Sequence, residues 1–317
     1  MKYNVMIYDS EDLKLEFQNV QNITMTEGKI PINIDGRNAT CNEIVIEDKI
    51  KLRDYLKQRK LGINEIDYIA EEAVDSMIPN ASVYEREKAK ESYLERVKIR
   101  KLKTFVFKIY PSSEKRGTTV IIASASIKDR ALNYLKVKQN MIVNLLTKLG
   151  CPTNDFLLWL YWRSVSDPHL SKILIRNITR DETDDRSYSA RSQTERGGDN
   201  VMDSPDLKYR IGKGFPLKSM TFKLKEEEIG ASLEIGIYQE DTNDPVFTIF
   251  GFYPTKFLND RIQLTGDSER QREIYSKALA IDVIYKLIHE YKQDNERWQD
   301  EKPKFISKLA DESFQVK

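Results

Sequence analysis

Over the first 47 residues the apolar positions come in short runs or alternate with polar ones, which predicts strands. Tyr3–Tyr8 is an apolar run, residues 13–20 alternate in part, residues 30–34 end at the turn pair Asp35-Gly36, and residues 43–46 form another brief β-type run. At Ile50 the spacing becomes helical, with Leu52, Tyr55 and Leu56 following and Gly62 as the expected stop. A second helix carries Ile66, Ile69, Ala70, Ala73, Val74 and Met77 on one face and ends before Pro79. Ser82-x-x-Glu85 is a capping box that opens a third, highly charged helix with only a narrow apolar stripe.

Further on, residues 104–110 and 118–125 read as a β-hairpin whose turn runs from Pro111 to Gly117. A long helix is expected over residues 127–149, with Gly150 as its C′ residue and Pro152 just beyond. Residues 156–162 are apolar nearly all round, which predicts a fully buried helix or strand. Residues 180–206 are polar, rich in Ser, Asp and Arg, and have the composition of a flexible linker or loop. Three β-type segments follow, at 220–224, 231–238 and 246–252, with a turn at 241–245. A helix opened by Ser268-x-x-Gln271 then buries Ile274, Ala278, Ile281, Ile284, Tyr285 and Ile288, and the residues after Asn295 read as a charged tail with a short helix at most.

The expected fold class is therefore α+β. An N-terminal domain of mixed strands and helices occupies residues 1–179, the linker or loop 180–206, and an antiparallel sheet with a packed helix 207–317. The chain has 317 residues, in keeping with two domains of about 150 residues each. Its 40% hydrophobic content suffices for a core. The N-terminus has no pattern of a secretory signal, and no apolar run reaches the ~18 residues of a membrane span. Cys41 and Cys151 give neither a disulfide framework nor a zinc spacing. A cytoplasmic location without a membrane partner follows. The Ile-, Lys- and Asn-rich composition is compatible with an AT-rich bacterial or phage genome.

Charge changes this picture most. The whole chain carries 51 basic and 50 acidic side chains, a net +1. Residues 1–95 hold 13 basic and 19 acidic groups, residues 96–138 hold 12 and 2, and residues 139–317 hold 26 and 29. The near-neutral total thus conceals a 43-residue stretch at +10 between blocks at −6 and −3. Clustered Lys and Arg bind phosphate backbones through counterion release, and neighbouring aromatics can stack on unpaired bases. The candidate nucleic-acid-binding residues are Arg96, Lys98, Arg100, Lys101, Lys103, Phe105, Phe107, Lys115, Arg116, Lys128, Arg130, Lys136 and Lys138.

A second pattern is Asp35, the apolar run 43–46, and then Glu47-Asp48-Lys49. This order resembles that of metal-dependent nucleases of the PD-(D/E)xK type, over fifteen residues and with Ile34 where that family has Pro. The resemblance implies Asp35 and Glu47 as Mg²⁺ ligands and Lys49 as the residue that orients water or stabilises charge. Glu-x-Lys also arises readily in a chain that is 32% charged, and a surface turn followed by a helix start explains the same residues. Gly212 to Ser219 departs from a phosphate loop at Leu217, and Asp181 to Asp185 lacks the Gly and Glu of a calcium loop. His169 and His289 are read as structural.

The function expected from the sequence is a non-catalytic binding protein that contacts DNA or RNA through its basic segment, as a subunit of a larger assembly and with no cofactor. The alternatives are a Mg²⁺-dependent phosphodiesterase using Asp35, Glu47 and Lys49, and a protein–protein interaction module that joins a protein partner or forms a homo-oligomer.

Overall fold

The computed structural model describes residues 3–8, 23–28, 32–58, 61–113, 117–124, 131–133, 135, 150–185, 191–196, 204–239, 245–263 and 268–314. The fold is α+β. Its strands are β1 (Tyr3–Tyr8), β2 (Ile23–Gly28), β3 (Ala39–Lys51), β4 (Val97–Ile109), β5 (Thr118–Ser124), β6 (His169–Leu170), β7 (Ile173–Asp185), β8 (Arg191–Arg196), β9 (Leu217–Glu226), β10 (Ala231–Gln239) and β11 (Pro245–Pro254). They follow the order β2-β3-β4-β5-β1-β11-β10-β9-β7-β6, and β8 pairs with β7.

Two compact units emerge. Unit 1 comprises Met1–Phe17, Thr26–Glu43 and Thr104–Lys317, and unit 2 comprises Gln18–Met25 and Ile44–Lys103. The expected boundary at 180–206 falls inside unit 1. Within that stretch, residues 180–185 and 191–196 pair as an antiparallel hairpin, with Asp185 opposite Arg191. Strand pairing uses backbone groups, so a polar side-chain composition does not exclude it. N-terminal strand β1 lies between β5 and β11, Met6 opposite Ile121 and Asn4 opposite Thr248, so segments more than 240 residues apart in sequence share one sheet.

The helices of unit 1 are α4 (Thr153–Ser166), α5 (Pro205–Gly212), α6 (Lys256–Gln263), α7 (Ser268–Gln293) and α8 (Asn295–Phe314). Eleven residues of α4 are buried, including all of 155–164, as its all-round apolar composition predicts. Along α7 the expected residues are buried together with Leu279, Val283, Leu287 and Tyr291. The charged tail is instead α8, 20 residues long. It buries Trp298, Phe305 and Leu309, three side chains at helical spacing among nine charged ones. The Trp298 ring lies 5.3 Å from that of Trp162, and Phe305 lies 5.6 Å from Tyr161. Gly212 ends α5 against this helix: a Cβ there would come within 2.6 Å of the Ala310 Cα.

Unit 2 contains α1 (Leu52–Gln58), α2 (Ile63–Met77) and α3 (Val83–Leu94) around Leu56, Ile66, Ala70 and Leu94. The capping box of α3 forms as expected, with Ser82 N donating to Glu85 Oε2 at 2.8 Å. Gly62 opens α2 rather than closing α1; its N–H donates to Glu65 Oε2 at 2.7 Å. Ile50 still belongs to β3, where Ile44, Ile46 and Ile50 are buried while Glu47, Lys49 and Lys51 are exposed. That is a period of two, and the helix begins only at Leu52. Residues 13–20, the turn at 241–244 and most of the expected helix 127–149 lie outside the described residues; Leu132 and Leu135 are buried.

Candidate nucleic-acid interface

The basic run starts at Arg96, just before β4, and continues through the first half of that strand to Lys103. The second half, Thr104–Ile109, pairs with β5 in unit 1 and is buried on both faces apart from Lys108, as a central strand requires. Phe105 and Phe107 are 0% exposed, so neither ring can stack on a base. This corrects their place among the candidate residues. Their apolar neighbours Val106 and Ile109 already marked the segment as core, a signal stronger than the adjacent charge.

In the first half the strand is open from Val97 to Ile99 and at Lys101, while Leu102 is buried. Val97 and Ile99 are 63% and 57% exposed, and Arg96, Lys98 and Lys101 are exposed as well. Lys98 Nζ stands 4.0 Å from the ring centroid of Tyr55, and the Arg96 guanidinium 5.2 Å from that of Tyr93. Such cation–π contacts fix the position of a charge without neutralising it. Lys103 is half-buried. The side chain of Arg100 and the candidates Lys115, Arg116, Lys128, Arg130, Lys136 and Lys138 lie outside the described residues.

A second basic segment, missed by the sequence reading, meets the first. The N–H of Leu52 donates to the Arg96 carbonyl at 2.9 Å, which joins the start of α1 to the start of β4. Lys51 Nζ pairs with Glu95 Oε2 at 2.5 Å, and the same contact raises the lysine pKa and lowers that of the glutamate. Exposed Lys49, Lys51 and Lys57 and half-buried Arg53 therefore accompany Arg96, Lys98 and Lys101. Residues 61–95, the α2–α3 hairpin, hold three basic and nine acidic side chains, so the positive charge of unit 2 is gathered in its two flanking segments.

The nuclease-like set is distributed otherwise. Asp35 belongs to unit 1, while Glu47 and Lys49 are exposed on β3 in unit 2. Asp35 and Gly36 both have positive φ (53° and 69°), the turn conformation that Asp-Gly favours. The Asp35 carboxylate contacts Arg37 at 3.2 Å and His289 Nε2 at 2.9 Å, and its N–H donates to Asp282 Oδ1 at 2.8 Å. Asp282 in turn pairs with Lys286 at 3.0 Å, and Lys286 with the fully buried Glu226 at 2.9 Å. Desolvation works to lower the Lys286 pKa, but hydrogen bonds to Glu226 and Asp282 outweigh it and the net shift is upward. These linked ion pairs fasten the turn to α7. Among the described residues no group of three or more His, Cys, Asp or Glu side chains is gathered to hold a metal. His169 is exposed, and its backbone carbonyl accepts from Arg163 Nη2 at 2.7 Å. No helix among the described residues is long and apolar enough to cross a membrane.

No protein family and no curated protein matches the chain.

Proposed function

We propose that the protein binds a DNA or RNA strand through the basic surface of unit 2, without catalysis. The observation that carries this reading is the junction of two basic segments, 49–57 and 96–101, at the Leu52–Arg96 backbone hydrogen bond. Residues 96–103 contain five basic side chains and no acidic one, and residues 49–60 contain six basic and one acidic. Charges anchored on a strand and a helix start suit contact with a phosphate backbone, which rewards several cations at fixed spacing. Tyr55 and Tyr93, with their cations stacked over them, add aromatic surface at the same place. The gathered ion pairs around Asp35 are saturated within unit 1, and they lend the phosphodiesterase alternative no support.

An electrophoretic mobility-shift titration with the full chain and a single-stranded oligonucleotide tests the reading. The wild type binds at low salt. The charge-reversed variant Lys98→Glu/Lys101→Glu, altered only at exposed positions, loses at least tenfold in affinity. Equal binding by the two proteins rejects the assignment to this surface.

A further inference from the structure

A cavity in unit 1 lies where the start of α4 meets the end of α7 and the first turns of α8. It offers about 500 Å³, within the ~300–1,000 Å³ typical of small-molecule sites. Its wall includes Asp155, Tyr291, Lys292, Asn295, Gln299 and Lys302.

The charges of this wall do not cancel. Asp155 is the single carboxylate among the lining residues, and it is already fully engaged. Its Oδ1 accepts from Lys302 Nζ at 2.5 Å, and its Oδ2 from Tyr291 at 2.5 Å and Trp298 Nε1 at 3.0 Å. Lys302 is thereby matched. Lys292 forms no ion pair among the described residues, yet it lies close enough to the buried Cys151 to oppose the rise that burial imposes on the thiol pKa. One cation therefore remains over at the cavity. Asn295 and Gln299 stand one helical turn apart on α8, with Gln299 Nε2 donating to Asn295 Oδ1 at 3.4 Å, which leaves the Asn295 amide nitrogen as a donor.

We infer that this cavity binds a small organic phosphate, its anionic head held by Lys292 and by the side-chain amides of Asn295 and Gln299. A phosphate dianion presents three strong acceptor oxygens, and the wall supplies one ammonium and amide donors to meet them. A cation would meet Lys292 and Lys302 in the same space, and an uncharged apolar ligand would strand the amides. The Asp155–Lys302 pair forms the neutral back of the site.

Isothermal titration of the full chain with inorganic phosphate and with a sugar phosphate, each against sodium chloride of matched ionic strength, tests the inference. Saturable binding of the sugar phosphate, weakened at least tenfold in Lys292→Gln and abolished in Gln299→Glu, is the expected result. Both residues are exposed, so the variants keep the fold, as an unchanged urea midpoint will verify. Binding of inorganic phosphate no weaker than that of the sugar phosphate would mean the head group alone is recognised and would overturn the organic-phosphate assignment. No saturable heat, or equal affinity in Lys292→Gln, would overturn the site itself. No nucleic acid is present, so either outcome leaves the basic surface of unit 2 unaffected.

Discussion

Replacing Asp155 by Ala perturbs a buried carboxylate on α4 that holds side chains of α7 and α8. The wild-type carboxylate is 9% exposed as a residue and accepts three hydrogen bonds, from Tyr291, Trp298 and Lys302. Alanine strands two of these donors inside the protein, each at about 1–3 kcal/mol. Lys302, whose side chain is 32% exposed, can turn to water and adds little. Water from the adjoining cavity relieves part of the loss, so the expected destabilisation is about 2–4 kcal/mol. Asparagine keeps an oxygen for Tyr291 and Trp298 and gives up the charge toward Lys302; its expected cost is about 1–2 kcal/mol. The chain has three tryptophans, and all of them, Trp159, Trp162 and Trp298, lie on α4 and α8 around this carboxylate. Urea unfolding followed by tryptophan fluorescence therefore reads the affected region directly. With a slope of about 3 kcal/mol/M the midpoint of the Ala variant falls by roughly 1 M. A loss below about 0.5 kcal/mol, or an Asn variant no more stable than the Ala variant, would refute the claim that this carboxylate ties α8 to α4 and α7.

Two other outcomes follow from the packing and the charges. Gly212→Ala puts a methyl group within 2.6 Å of the Ala310 backbone and should cost about 1–3 kcal/mol, measured by thermal melting, whereas an unchanged melt would show that α5 and α8 can part without cost. Burial, followed by the Glu43 carboxylate, pushes the Cys41 thiol up from 9.0 to about 12. A thiol whose pKa is raised in the folded state stabilises fully below the unfolded value and loses that contribution as pH climbs toward the folded one. The wild type should therefore lose about 2–3 kcal/mol more than Cys41→Ala between pH 8 and 11, by urea titration at each pH. Parallel pH profiles for the two proteins would exclude the buried thiol as the source.

Local patterns in the chain were readable where one rule governed each element. The 3.6-residue spacing of α2 and α7 and the Ser82–Glu85 box each had a single physical reading, and the all-round apolar run of α4 announced burial without deciding between helix and strand. Long-range pairing was not readable. Nothing in Tyr3–Tyr8 announces that it will lie between β5 and β11, because strand partners are chosen across the fold and leave no local periodicity. Helix α8 was missed because three buried side chains among nine charged ones resemble a solvated tail, and the helix gains its stability from packing rather than from composition. The basic run was visible as charge, but its division was not: β4 passes from open at Ile99 to buried at Phe105 within six residues, and sequence alone offered the phenylalanines as stacking surfaces. Segment 49–60 is masked at the level of the N-terminal third, where the surrounding acidic residues outweigh its charge. Its contribution became apparent only through the Leu52–Arg96 hydrogen bond.

The most direct measurement of the central claim is the salt dependence of strand binding by unit 2 within the full chain, read as fluorescence anisotropy of a labelled single-stranded oligonucleotide between 50 and 300 mM salt. With about three to four phosphates neutralised by Lys49, Arg96, Lys98 and Lys101, the logarithm of the association constant should fall against the logarithm of salt with a slope of roughly −2 to −3. Lys98→Glu/Lys101→Glu should flatten that slope by about one or more. Binding that ignores salt, or no binding at 50 mM salt, would contradict the account.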